Sequence, residues 1–94
     1  MTVRVCYLAQ ARKVAGVSED TVPWREGLTL AALLDELATE RGPDLRRFLF
    51  RDNGTLHATL LLTVNDQPVP RGMAESHTLN AGDVVTMIPP VAGG

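Results

Sequence analysis

The last six residues, Pro89-Pro90-Val91-Ala92-Gly93-Gly94, end on a carboxylate behind two residues that carry no side chain. Glycine admits backbone conformations and close approaches that other residues block. A carboxylate on so thin an arm is suited to threading through a narrow channel into another protein's active site. There it can be adenylated, since a carboxylate is inert until converted to a mixed anhydride. Pro89-Pro90 is expected to lift the arm off the preceding strand and to stiffen its exit. Gly-Gly alone reads as a frayed terminus. Gly-Gly after Pro-Pro and a last strand reads as the reacting end of the molecule, with Gly94 bearing the carboxylate and Gly93, Ala92, Val91, Pro90 and Pro89 forming the threaded arm.

The interior offers little chemistry of its own. His57 and His77 do not stand at metal-ligand spacing with Cys6, so no metal site is expected. Asp35-Glu36 is a pair of adjacent carboxylates on a helical segment, where neighbours point in different directions, so the two make a poor acid/base dyad. No glycine-rich phosphate loop is present. Cys6 has no evident base and reads as a small half-buried thiol.

Bulk properties narrow the partners. A 94-residue chain with 45 % hydrophobic and 21 % charged residues is expected to fold as one domain with a modest core. Only Tyr7, Trp24, Phe48 and Phe50 are aromatic, so that core must rest on Leu, Val and Ala. A formal net charge of −2 argues against a nucleic-acid partner, which would demand a concentrated basic patch. The one basic cluster, Arg46, Arg47 and Arg51, reads as a solvated helix end and loop. One cysteine permits no internal disulfide, so no oxidising compartment is needed. No apolar run approaches the roughly 20 residues of a membrane span, and the N-terminus lacks a signal-peptide pattern. The expectation is a cytoplasmic protein without membrane contact.

The elements that must carry the arm follow from periodicity. Val3 to Leu8 alternates, with Val3, Val5 and Tyr7 inward and Arg4, Cys6 and Leu8 outward. Ala9 to Ala15 is short and mixed, with a break at Gly16. Thr21 to Trp24 predicts a second strand in a hairpin with the first, and Pro23 confines it to an edge or ends it. Leu30, Leu33, Leu34, Leu37 and Ala38 recur at helical spacing behind Thr29 as N-cap, and Gly42-Pro43 stops that helix. Pro43 to Leu49 reads as a short helix with Leu45, Phe48 and Leu49 inward. Asp52-Asn53-Gly54 is a turn. A strand is expected from His57 to Val64, with Leu60, Leu62 and Val64 inward and Thr59, Leu61 and Thr63 outward. Asn65-Asp66 turns it into a short strand, Gln67 to Val69. After an irregular stretch and the turn Asn80-Ala81-Gly82-Asp83, Val84 to Ile88 is the last strand, with Val85 and Met87 inward and Val84, Thr86 and Ile88 outward.

A hairpin, a crossing helix and further strands outline an α+β β-grasp, with a mixed sheet of about five strands and one main helix packed across it. Residues 1–88 would form this domain and 89–94 a flexible C-terminal tail. The outward apolar residues Leu8, Leu61 and Ile88 are expected to form a docking patch beside the root of the tail.

Two stretches resemble the MoaD/ThiS family of ubiquitin-like sulfur carriers. Leu8-Ala9-Gln10-Ala11-Arg12-Lys13-Val14-Ala15-Gly16 is similar to the opening of molybdopterin synthase small subunits. Leu79-Asn80-Ala81-Gly82-Asp83, the strand to Ile88, Pro89-Pro90-Val91 and Ala92-Gly93-Gly94 resemble the family's ending. The resemblance implies a β-grasp fold, no permanently bound cofactor and no catalytic residues of the chain's own. It implies an ATP-dependent activating enzyme that adenylates Gly94 and a sulfur donor that converts it to a thiocarboxylate. Leu8 and Ile88 match positions of hydrophobic partner contact. The sulfur-accepting partner would be the large subunit of molybdopterin synthase or a cysteine synthase-like enzyme. The longer connection from Phe48 to His57 looks closer to cysteine-synthesis carriers or archaeal small modifier proteins. A ubiquitin-like modifier joined through Gly94 to target lysines is the competing reading, since the chemistry is shared up to the adenylate. A plain interaction module is the third.

Overall fold

The computed structural model describes residues 1–57 and 60–88. Alternation produces the first strand, β1 (Thr2–Tyr7), in which Val3, Val5 and Tyr7 are buried and Arg4 is exposed. The helical leucine spacing produces α2 (Leu30–Arg41), and all five of its expected inward residues are buried. The Thr29 side chain accepts from the Ala32 amide at 3.2 Å, one of the amides a helix start leaves without a partner. Gly42 then adopts φ 103°, a conformation costly for other residues, and Pro43 opens the next helix, α3 (Pro43–Leu49).

The remaining elements are α1 (Gln10–Ala15), β2 (Glu19–Pro23), β3 (Leu61–Val64), β4 (Gln67–Val69), a 3-10 turn at Arg71–Met73 and β5 (Val84–Ile88). Among the described residues the strands form one sheet in the order β2-β1-β5-β3-β4. β1 and β5 are parallel, and the other neighbours are antiparallel. This is the α+β, mixed-sheet arrangement of a β-grasp. The core joins Val3, Val5, Tyr7, Leu62, Val85 and Met87 of the sheet to the helix leucines. Each leucine so buried contributes roughly 1.5–3 kcal/mol before entropy is counted.

Four local expectations change. Ala9 to Ala15 contains a helix, α1, where mixed composition suggested only a short irregular piece. Its buried positions are the small Ala11 and Ala15, which carry little periodic signal. The second strand runs Glu19–Pro23 rather than Thr21 to Trp24, because β1 pairs as far as Cys6 with Glu19. Pro23 lies in an edge strand, as a residue without an N–H must. The third strand begins at Leu61, not His57. Leu56 instead bridges Phe50, and the His57 amide donates to the Leu49 carbonyl. Phe48 is half-buried rather than fully inward.

Candidate functional site: the root of the C-terminal arm

β5 is the last strand among the described residues, and a neighbouring strand holds it on each side. Val84, Val85, Thr86 and Met87 pair with Arg4, Val5, Cys6 and Tyr7 of β1. Val85, Thr86, Met87 and Ile88 pair with Val64, Thr63, Leu62 and Leu61 of β3. Ile88, the last described residue, therefore ends a central strand.

The start of β5 is fixed by a side-chain network. Asp83 is only 7 % exposed, and no cation pairs with it among the described residues. Its Oδ1 accepts from Asn65 Nδ2 at 2.9 Å, and its Oδ2 accepts from the Asn80 amide at 2.8 Å. Asn65 Oδ1 in turn accepts from the Val84 amide at 2.9 Å, and the Asn65 amide donates to the Val84 carbonyl at 2.8 Å. A buried carboxylate demands such partners. Asn65 and Asp66 both have positive φ, 51° and 68°, the pattern of the tight turn that joins β3 to β4. One asparagine thus makes the turn and sets the register of β5. The turn is legible in the sequence; the second role is not. The Asn-Asp pair and the Gly82-Asp83 step are signals only when the two segments are known to meet.

The end of β5 meets Leu8 and Leu61. The Leu8 amide donates to the Met87 carbonyl at 3.3 Å, and Ile88 stands opposite Leu61 in the ladder. Leu8 is 46 % exposed, Leu61 is 56 % exposed and Ile88 is half-buried. All three lie on the sheet face opposite the helices, as alternation predicts. Behind them on that face come Cys6, Thr86 and Thr63, aligned by the two ladders, then Arg4 and Val84. The face grades from apolar at the root of the arm, through small neutral groups, to the Arg4–Glu19 ion pair at 3.4 Å. Thr59, placed outward by the sequence pattern, lies outside the described residues. So do Pro89, Pro90, Val91, Ala92, Gly93 and Gly94.

The interior groups singled out as candidate chemistry are engaged elsewhere or stand apart. Asp35 binds Arg46 at 3.1 Å, whereas Glu36 takes both terminal nitrogens of Arg25 at 3.2 and 3.0 Å. The two carboxylates serve different partners and do not converge. His57 Nε2 lies 3.0 Å from the Arg47 carbonyl. Arg46 and Arg47 pair with Asp35 and Asp44, and Arg46 also stands over the Phe50 ring. Cys6 is half-buried between Glu19 and Thr86 on the neighbouring strands. Among the described residues, no group of three His, Cys, Asp or Glu side chains could hold a metal ion, and no helix is long and apolar enough to cross a membrane.

A second network braces β1. The Tyr7 hydroxyl donates to Asp20 Oδ2 at 2.8 Å, Arg41 Nε donates to the same oxygen at 2.9 Å, and a terminal nitrogen of Arg41 meets Oδ1. Burial, with the Asp20 contact added to it, pushes the Tyr7 hydroxyl well above its usual range. The Arg41 hydrogen bond, assisted by Tyr7, holds the Asp20 carboxyl below its own against the opposing effect of burial. β1, β2 and the end of α2 are joined here on the strand that flanks β5.

β5 is thus a central strand of fixed register whose end lies beside exposed apolar side chains. A model of the ThiS family matches residues 5–94. The chain belongs to the ThiS family. It is a ubiquitin-like sulfur carrier of the MoaD/ThiS type, as the resemblance in its opening and ending implies. Solved structures similar to this ThiS-family chain include SAMP1, a small archaeal modifier protein from Haloferax volcanii, at 26 % identity and TM-score 0.87, with both chains fully covered. A putative molybdopterin converting factor subunit 1 from Pyrococcus furiosus is 27 % identical with TM-score 0.73, covering 97 % of this chain and 99 % of that one. CysO in the BexX/CysO complex of Amycolatopsis orientalis is 25 % identical with TM-score 0.73, covering 98 % of this chain and 99 % of that one. No curated protein matches the chain.

Proposed function

We propose that this protein carries sulfur on its C-terminal glycine. An ATP-dependent activating enzyme adenylates the Gly94 carboxylate, and a sulfur donor replaces AMP to leave a thiocarboxylate. The chain binds no cofactor of its own, and ATP belongs to the activating partner. The observation that carries this reading is the placement of β5. It is a central strand with a fixed register, and it ends at Ile88 beside the exposed Leu8 and Leu61. A partner that grips this apolar face holds the body still. The six residues beyond Ile88 reach about 20 Å when extended, enough to enter a neighbouring active site. Gly93 and Gly94 give the clearance such a channel requires.

The sulfur then passes to a molybdopterin precursor in a synthase large subunit, or to a cysteine or other thio-metabolite precursor on a cysteine synthase-like enzyme. Similarity to the converting factor subunit supports the first route and similarity to CysO the second. A gene for either enzyme beside this one separates them. The likeness to SAMP1 favours a second reading, in which the activated Gly94 is joined to lysines of other proteins in the cytoplasm.

The test is intact-mass analysis after incubation with the activating enzyme of the same genome, ATP and a sulfide source. The expected result is a mass gain equal to the exchange of one oxygen for sulfur. Failure to form either adenylate or thiocarboxylate with every such enzyme would overturn the carrier reading. High-mass conjugates in lysate, lost on deleting Gly94, would identify the modifier.

A further inference from the structure

Eight of the nine basic side chains are arginines, and Lys13 is the only lysine. A guanidinium stays protonated and is no acceptor for an acyl group. The chain therefore offers two amines to an activated carboxyl, Lys13 Nζ and the α-amine of Met1. They stand at opposite ends of the fold. β1 and β5 are parallel, so Met1 lies beside the start of β5, and the Met1 carbonyl is tied to the Trp24 amide at 2.9 Å. α1 follows the end of β1, so Lys13 lies toward the end from which the arm leaves.

Lys13 is exposed in the last turn of α1 and makes no ion pair among the described residues. Ala11 and Ala15 turn the other side of that helix into the core, and α1 packs against β1 and α3. Lys13 thus belongs to the helical side of the molecule, whereas Leu8, Leu61 and Ile88 lie on the opposite face. A partner seated on the outer face leaves the side that carries Lys13 open.

We infer that Lys13 is the acceptor for the C-terminal glycine of a second copy of this chain. The inference rests on the reading that Gly94 is adenylated. The Nζ lone pair attacks the Gly94 carbonyl carbon of the acyl adenylate. A C–N bond forms, the C–O bond to AMP breaks with its electron pair leaving on AMP, and the nitrogen gives its proton to solvent. The product is a Gly94–Lys13 isopeptide bond. The donor copy has its arm inside the activating enzyme and cannot turn it back to its own Lys13, so the acceptor is another molecule. Each copy then carries one donor and one side-chain acceptor. The linkage is head-to-tail and open-ended, and it leaves every outer face free.

The test incubates the full chain with ATP and the activating enzyme of its own genome, without a sulfur donor. Pyrophosphate exchange reports activation. Intact mass and tryptic mapping report linkage. The expected product is a covalent dimer that yields a branched peptide joining residues 13–25 to residues 72–94. Lys13→Arg should keep the exchange and lose the branched peptide. Exchange without the branch, a branch at Met1, or a monomer that has lost one water by internal closure each overturns the inference while sparing the activation reading. Absence of exchange removes the activation reading, and this inference with it.

Discussion

The Tyr7 hydroxyl donates to Asp20 Oδ2 at 2.8 Å, and Arg41 closes on the same carboxylate from the end of α2. Tyr7 is the only tyrosine, so its ionisation can be followed without interference. Its folded-state pKa lies above the unfolded value of about 10. The folded chain keeps the proton where the unfolded chain has lost it. Tyr7 therefore contributes stability that is complete below about pH 10 and is lost as pH rises further. Tyrosinate absorbance should appear only together with loss of the near-ultraviolet dichroism of the fold. Ionisation at an ordinary tyrosine pH in an intact fold would contradict the geometry. Asp20 has the opposite sign. Its pKa is lowered, so its contribution is present above about pH 3.9 and is lost as pH falls through the folded-state value.

Asn65→Gly tests the clamp on β5. Glycine keeps the positive φ of the turn and removes only the side chain. Asp83 Oδ1 and the Val84 amide then lose their partner. The expected cost is about 1–3 kcal/mol, read as a lower denaturation midpoint at unchanged slope. A neutral result would show that water replaces the amide without loss.

Leu61→Ser separates docking from folding. Leu61 is more than half exposed, so stability should stay within about 0.5 kcal/mol of the parent. Affinity for the activating enzyme, measured by calorimetry, should fall. Equal affinity in parent and variant would remove Leu61 from the interface.

Leu34→Ala and deletion of Gly93-Gly94 should behave in opposite ways. Leu34 is fully buried, and its truncation should cost about 2–5 kcal/mol. The core found among the described residues runs from Val3 to Met87, and the deletion touches none of it. Melting temperature should hold while adenylation disappears. A large drop in melting temperature on deletion would show that the arm is packed.

Patterns that repeat within one element were legible in the sequence. The leucines of α2, its Thr29 cap and the inward and outward sets of β1, β3 and β5 follow from a period of 3.6 or of 2, which one segment reveals by itself. α1 was not legible, because its buried residues are two alanines and its preceding residue, Ala9, holds φ 49° with no cap signal. The contacts Tyr7–Asp20–Arg41 and Asn65–Asp83 were not legible either. They join residues 13 to 21 positions apart, and nothing local to either partner announces the other. The outer-face trio of the candidate site was legible because alternation fixes facing, and the ladder Leu61–Ile88 brings two of the three side by side.

The parallel pairing of β1 with β5 has a mechanical consequence. Traction on the C-terminus, with the body anchored, acts along β5 and loads its two ladders in shear. The hydrogen bonds to β1 and β3 then share the force together rather than opening one at a time, as they would if the strand were peeled from an edge. Any partner that draws on this terminus would pull against both ladders at once.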